Sequence, residues 1–322
     1  MDDPPLISVI IPNWNGAEHL PTCLDSLRRQ THPRVEVIVV DNNSSDESVA
    51  LLEREYPEVM VISLTENRGY AGGVNRGIRE AKGETLVVLN NDTEADPHWL
   101  AELWGGLERH PEAGAATSKI LLFDPRDVIN SAGDLYRVDG VPVNRGVWER
   151  DGGQYDQEEK VFSACGGACA FRRSMLADLS TTDGDEVFDE DFFAYCEDVD
   201  LGWRAQLAGY HCLYVPTAII YHRLSATGGG KIASYYTGRN LIYVLAKNYP
   251  SSLLRKYWGR IVLAQLRITW EALKAWRGEA ARACLRGQLS GLWILPRMLR
   301  KRRAIQESRV VSDEYLESIL IG

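Results

Sequence analysis

The chain has 322 residues, 45% apolar and 25% charged, with a net charge of −9; this is ordinary soluble composition, enough for one large α/β domain with an appendage and a core that needs no staples. Six scattered cysteines without a Cys-x-x-Cys pair argue against a zinc site and for a reducing cytosol, the acidic start Met1-Asp2-Asp3 against a signal peptide, and the lack of any apolar stretch near 18 residues against a membrane span. Charge is uneven: residues 251–303 hold 13 Lys and Arg against two acids, Glu271 and Glu279, a local +11 that leaves −20 on the rest.

In chain order, Ile7 to Ile11 reads as a strand ending at Pro12-Asn13-Trp14-Asn15. Leu20, Cys23, Leu24 and Leu27 mark one apolar face of a first helix. Val35 to Val40 is a second strand, ending at Asp41. Asn43, Ser44, Ser45 and Asp46 offer N-caps for a helix carrying Val49, Leu51 and Leu52. A short strand from Val59 to Leu64 precedes Asn67-Arg68-Gly69-Tyr70-Ala71-Gly72-Gly73-Val74-Asn75, a glycine-rich entry to a helix ending near Lys82-Gly83. Leu86 to Leu89 is a further strand and stops at Asn90-Asn91-Asp92. Short, nearly continuous apolar strands alternating with helices predict a doubly wound, largely parallel sheet. Residues 120–160 read as a loop or hairpin insertion over one end of that sheet. Phe162 to Phe171 is predicted as a strand, Asp198 to Gly209 as a helix closed by glycine, and His211 to Tyr221 as a strand broken at Pro216.

Ligands of open α/β sheets sit beyond the carboxyl ends of the strands, so Asp41 and Asp92 are expected to share one crevice. Asp92, preceded by two amides, is the best metal-ligand candidate of the first half, suited to Mg²⁺ or Mn²⁺ on a diphosphate, with a turn or helix cap as the alternative. Asp41 is suited to a pyrimidine N–H or, equally, to an Asx turn. The glycines at 69–73 lack the dinucleotide pattern, which excludes NAD; they are expected to let backbone lie close to a nucleotide. Glu197 and Asp198 sit in an acidic run from Asp183 to Asp200 interleaved with Phe188, Phe192, Phe193 and Tyr195. Aromatic walls that raise a carboxylate's pKa make a general base, here Asp198, with Glu197 as support or acceptor ligand. His222, at the end of Ile219-Ile220-Tyr221, is a structural histidine or a second ligand for a borderline metal. Together these clusters describe a site for a metal-bound nucleotide sugar.

Five motifs in order, Ser8-Val9-Ile10-Ile11-Pro12, Val40 to Asp46, Asn67 to Gly73, Leu89-Asn90-Asn91-Asp92-Thr93 and Glu197-Asp198-Val199-Asp200-Leu201, resemble the family 2 inverting glycosyltransferases of the GT-A fold, and among them bacterial rhamnosyltransferases and their galactofuranosyltransferase relatives. The resemblance spans about residues 6–250. It implies a mixed, mostly parallel Rossmann-like sheet flanked by helices over residues 1–250, a nucleotide-binding half to about 118 and an acceptor half from 119, followed by a helical appendage at 251–322. It places the nucleotide sugar against Pro12, Asn13, Asn15, Asp41, Asn43, Asn67, Gly69, Gly72, Asn75, Asn90, Asn91 and Arg239. The metal falls to Asp92 and His222, and catalysis to Asp198 with Glu197. Asn90 replaces the first acid of the usual Asp-x-Asp. Arg239 falls near the family's Arg-containing signature, but the Gln and Trp of that signature are missing, so a processive polymer synthase is not expected. The expected partners are a nucleoside-diphosphate sugar, dTDP-rhamnose by resemblance or a UDP-hexose or galactofuranose donor as the alternative, and a glycan or lipid-linked acceptor. A nucleotidyltransferase would carry a basic glycine-rich loop after the first strand, where this chain has Pro12-Asn13-Trp14-Asn15-Gly16. A non-catalytic scaffold would not need Asp92, Asp198 and His222.

The basic tail combines its charge with Trp258, Trp270, Trp276 and Trp293, as in helices that lie in an anionic membrane interface. The same aromatics packed on the catalytic domain or on a second subunit, in a homo-oligomer, are the alternative. With no nucleic-acid-binding motif and an acidic overall balance, nucleic acid is not an expected partner. The expected location is cytoplasmic, at the inner face of the cell membrane.

Overall fold

The computed structural model describes residues 4–180, 186–224 and 230–322. The acidic start and the Asp183 end of the acidic run lie outside the described residues. The first half alternates as its apolar runs require: β1 (Ile7–Asn13), α1 (Leu20–Arg28), β2 (Val35–Asp41), α2 (Ser48–Glu55), β3 (Met60–Ser63), α3 (Gly69–Glu80), β4 (Thr85–Leu89), β5 (Thr93–Ala95) and α4 (Trp99–Arg109). Next come β6 (Ala113–Leu122), β7 (Ile129–Ser131), β8 (Asp134–Tyr136), β9 (Pro142–Asn144), β10 (Glu159–Val161), β11 (Ala168–Arg172), α5 (Arg173–Leu179), a 3₁₀ turn at Glu190–Phe192, α6 (Glu197–Leu207) and β12 (His211–His222). The chain finishes with α7 (Lys231–Asn248), α8 (Ser251–Lys274), α9 (Glu279–Trp293), α10 (Leu295–Glu307) and α11 (Asp313–Ile319).

The main sheet runs β10-β12-β6-β11-β4-β1-β2-β3, with β5 added to β12 and β7 to β6. β4, β1, β2 and β3 are mutually parallel, and β11 enters antiparallel between β4 and β6. Alternation along the parallel strands explains their continuous apolarity. Val9, Ile11, Val39, Val87 and Leu89 fill the core on one face, while Ile10, Ile38, Val40, Leu86 and Val88 fill it on the other. Each such side chain contributes about 1.5–3 kcal/mol, so these strands are fixed and their ends make a rigid rim.

Several predicted elements differ in detail. The N-cap of α2 is Glu47 without a side-chain bond; Asp46 instead accepts from the Ser48 backbone N–H and hydroxyl. Only residues 168–171 of the predicted 162–171 strand are sheet, because Cys165-Gly166-Gly167 turns beneath the site. Pro216 does not break β12; the strand absorbs it in a register shift between Val215 and Ile219. Residues 120–160 hold four short strands, of which β8 and β9 form a separate hairpin.

A third core joins the last helices to the rest. Tyr136, Phe162, Trp203 and Tyr249 cluster with ring centroids 5.0–6.2 Å apart, and Leu253, Ile261, Met298 and Leu316 complete it. The tail's tryptophans take no part. Trp258, Trp270, Trp276 and Trp293 are 66%, 60%, 58% and 86% exposed, so they are not packed into the core.

Candidate active site

Strand ends and hairpin enclose one cleft of about 730 Å³, within the range of small-ligand sites. One wall is Pro12, Asn13, Asn67, Gly69, Asn90, Asn91 and Asp92. Glu197, Asp198 and His222 line the same cleft. These sequence-predicted residues are therefore brought together, although they come from five separate segments.

Asn13 organises the first wall. Its Nδ2 donates to Asp41 Oδ1 at 2.9 Å, and its Oδ1 accepts from Asn91 Nδ2 at 2.7 Å. Asp41 also accepts from the Ser44 amide at 2.9 Å and hydroxyl at 2.6 Å. Its carboxylate is thus used by the Asx-type turn that was the alternative reading, and it lies behind the cleft wall. Asn15 and Asn43, both at positive φ, shape the same turn, where Asn15 Oδ1 accepts from the Ser45 amide at 2.8 Å. Gly72 and Asn75 sit within α3 and are buried. Asn75 holds the segment that follows α5, accepting from the Val187 and Phe188 amides and donating to the Phe188 carbonyl. Arg239 is likewise behind the wall: it donates to the Asp191 and Phe192 carbonyls and stacks on Tyr236, which lines the cleft.

Asp92 and His222 are paired, with Oδ1 and Nε2 3.2 Å apart. Asp92 Oδ1 is buried and receives no hydrogen bond. His222 Nδ1 lies 2.9 Å from Asn130 Oδ1; donating there leaves Nε2 with a lone pair facing the carboxylate. Two such donors fit a divalent cation, the carboxylate suiting a hard ion and the imidazole a borderline one.

Asp198 is gripped at the start of α6. Oδ2 accepts from the Gly166 amide and Oδ1 from the Val199 amide, each at 2.8 Å. Burial raises its pKa above the ordinary carboxylate value despite these amides. Glu197 is pushed well above its usual value by burial and then by the Asp198 charge, and its buried Oε2 has no partner, leaving an acceptor at the cleft wall. Burial is the first cause of both shifts, and Phe193 and Tyr195 line the same cleft.

The backbone before these acids is strained. Phe193, Tyr195 and Cys196 all have φ between 63° and 67°. At Phe193 the Ala194 amide donates to the Phe192 carbonyl at 2.7 Å, the geometry of a rare γ-turn. Gly69, at φ +72°, lets Phe193 approach: an added Cβ would meet the Phe193 carbonyl oxygen at 2.3 Å. Non-glycine residues hold such conformations where the surroundings impose them, commonly at active sites.

Sequence reasoning missed Asp134. It sits in the β8–β9 hairpin, lines the cleft, and has a carboxylate oxygen within 4.8 Å of ligand atoms of Asp198 and Cys165. Burial, then the Asp198 charge, raises its pKa well above the usual range. Trp14, Tyr70, Tyr195 and Tyr236 also line the cleft. No local pattern marks Asp134, because a distant hairpin carries it to the site.

Comparison with known proteins agrees with this geometry. The model of glycosyl transferase family 2 matches residues 8–180. The chain is 30% identical over 250 residues to an N-acetylglucosaminyl-diphospho-decaprenol L-rhamnosyltransferase of Mycobacterium tuberculosis, covering 69% of this chain and 78% of the relative. It is 31% identical over 234 residues to the O-antigen biosynthesis protein RfbC of Myxococcus xanthus, covering 69% of this chain but 18% of that protein. Among solved structures, the mannosyltransferase PcManGT from Pyrobaculum calidifontis, in complex with GDP-Man and Mn²⁺, superposes with a TM-score of 0.57 at 19% identity, covering 98% of this chain and 83% of that one. TarS of Staphylococcus aureus, residues 1–349 with UDP, gives 0.53 at 17% identity over 94% and 90%. With the sheet order and the cleft, these findings establish that the chain is a GT-A-fold glycosyltransferase belonging to glycosyl transferase family 2.

Proposed function

We propose that the protein is an inverting glycosyltransferase that moves a sugar, L-rhamnose from dTDP-rhamnose, onto a glycan or lipid-linked acceptor in cell-surface polysaccharide synthesis. The observation that carries this reading is the single cleft shared by the Asp92–His222 pair and the carboxylates Asp198 and Glu197. Asp92 and His222 would hold Mg²⁺ or Mn²⁺, which when bound neutralises the diphosphate of the donor. The amides of Asn13, Asn90 and Asn91 and the close backbone at Gly69 position the nucleotide, with Asp41 holding Asn13 in place. Asp198 takes the proton of the acceptor hydroxyl, whose oxygen forms the new bond to the anomeric carbon as the bond to the diphosphate oxygen breaks on the opposite face. The Gly166 amide keeps the Asp198 carboxylate aimed, and Glu197 Oε2 receives an acceptor hydroxyl.

The exposed tryptophans and excess positive charge of 251–303 support a peripheral membrane contact at the cytoplasmic face. No helix among the described residues is long and apolar enough to cross a membrane.

The reading is tested by melting the protein with dTDP, UDP, GDP or CDP, with and without Mn²⁺, since a ligand selective for the native state raises the melting temperature. Manganese-dependent stabilisation by dTDP alone supports the rhamnosyl donor. A preference for UDP replaces it with a galactofuranosyl or hexosyl donor, and no response to any nucleotide refutes catalysis in favour of a scaffold.

A further inference from the structure

The segment from Phe188 to Cys196 contains no glycine, yet Phe193, Tyr195 and Cys196 are left-handed. Such a conformation persists only where the surroundings impose it, and here they belong to three elements. From α3, the Ala71 amide donates to the Phe193 carbonyl at 3.1 Å. From α7, the buried Asn240 donates through Nδ2 to the carbonyls of Phe192, Ala194 and Tyr195 at 3.0, 2.9 and 2.6 Å. From α10, in the C-terminal appendage, two cations reach the 3₁₀ turn that launches the strained residues. Lys301 Nζ lies 2.6 Å from Asp189 Oδ1 and 2.7 Å from Asp191 Oδ2, and Arg297 Nε lies 2.7 Å from the same Asp191 oxygen.

Asp189 caps that turn by accepting from the Asp191 amide at 3.0 Å, so Lys301 ties the cap of the turn to its body. The Lys301 side chain is 30% exposed and both acids are less so, a setting in which charges are screened less than at the surface. Arg297, at 57%, makes the weaker contact of a surface pair. The helix that carries both is firmly seated. Met298 belongs to the third core, Arg302 donates to the Ala246 carbonyl at 3.2 Å and to Ser251 Oγ at 2.9 Å, and Gln306 Nε2 donates to the Asn248 carbonyl at 2.8 Å.

We propose that Lys301, assisted by Arg297, is a positioning residue for glycosyl transfer. From the appendage it holds residues 189–196 in the form that presents Phe193, Tyr195, Glu197 and Asp198 to the cleft. Lys301, Arg297 and the segment they hold all lie beyond residues 8–180, the part matched by the family model. The basic tail is then a working part of the active site as well as a surface. The inference rests on the reading of Asp198 as base and adds the device that aims it.

Hydrogen exchange of the full chain, without donor, acceptor or metal, tests this directly. The amides of Asp191, Phe192, Phe193 and Ala194 donate within the segment; in Lys301→Met they are expected to exchange at least about fivefold faster than in wild type, while β1 and β4 keep their protection. Lys301→Arg should restore the wild-type rate. Arg303→Ala, which removes only an exposed pair with Glu307 on the same helix, should change nothing. The second readout is release of dTDP from dTDP-rhamnose with Mn²⁺ and water as acceptor: the water oxygen bonds to the anomeric carbon, its proton passes to Asp198, and dTDP leaves. Lys301→Met should lower kcat at least about tenfold and leave the donor KM at the wild-type value. Unchanged exchange at 191–194, exchange that quickens through the whole sheet alike, or donor binding lost in step with turnover would overturn the proposal. A wild-type protein that neither hydrolyses the donor nor responds to any nucleotide would refute the transferase reading instead, while exchange still decides whether Lys301 holds the segment.

Discussion

Lys247→Met tests the buried charge network behind the active site. Lys247 Nζ lies 2.6 Å from Asp189 and 2.8 Å from Asp200, with side-chain exposures of 4%, 4% and 0%. Methionine keeps an unbranched apolar stem but removes the charge that lies between two carboxylates and 5.4 Å from the Phe192 ring centroid. Breaking a buried pair costs about 3–5 kcal/mol. Asp200 keeps Arg204 at 3.0 Å and Asn248 at 2.8 Å, and Asp189 keeps Lys301 at 2.6 Å, so the low end, about 3 kcal/mol, is expected. At roughly 2.1 cal/mol/K per residue the unfolding entropy of a chain this long is about 0.7 kcal/mol/K, and the melting temperature should fall by about 4 °C. The effect should depend on pH. Burial pushes the Asp189 pKa up, but Lys247 and Lys301 more than reverse this and hold it below the usual value. Its stabilisation is therefore complete above the unfolded value near 4 and is lost as pH falls through the lower folded value, so the deficit of the variant should shrink in acid. Calorimetry between neutral pH and about pH 3 follows both quantities. A variant melting within about 1 °C of wild type at neutral pH would show that the network does not hold this part of the fold.

Asp198→Asn should lower transfer by at least about 10²-fold while nucleotide-induced stabilisation persists; equal loss of both refutes its assignment as base. Because burial raises Asp198 and Asp134, a base that must be ionised loses activity as pH falls through values above the ordinary 4, and Asp134→Asn should move that acid limb, which a purely structural Asp134 would not do. Asp92→Ala and His222→Ala should each abolish manganese-dependent stabilisation by nucleotide in the melting assay, and retained stabilisation would place the metal elsewhere. Gly69→Ala forces a Cβ to 2.3 Å from the Phe193 carbonyl oxygen at φ +72°; it should destabilise by about 1–3 kcal/mol and weaken donor binding, and a variant with unchanged melting would show that the γ-turn adapts freely.

The parallel half of the sheet was legible because its strands are short apolar runs with polar ends, a local signal. Of the two acids that strand-end reasoning expected to share a crevice, Asp92 lines the cleft with Asn13, Asn91, Asp198 and His222, whereas Asp41 does not. What stayed hidden depends on distant contacts. Asp41 reads the same whether it meets a base or caps its own turn, and only the bonds to Asn13 and Ser44 decide what it does in this structure. Asp134 reaches the cleft on a hairpin without a strong pattern. Pro216 looked like a strand break, yet a bulge accommodates it. Nothing in the order of residues announced that Met298 and Leu316, far along a basic tail, would share a core with Tyr136 and Trp203.

The run of left-handed residues at Phe193, Tyr195 and Cys196 also bears on how this protein could be engineered. Glycine would relax each position, and a selection for heat resistance alone would favour it there. Yet Phe193 stacks on Tyr236 at 5.0 Å and Tyr195 lines the cleft, so the substitutions that ease the backbone would strip aromatic walls from the cleft. Thermostability and turnover are thereby set against each other within four residues, and a stabilised enzyme should be sought through the surface of the outer helices instead.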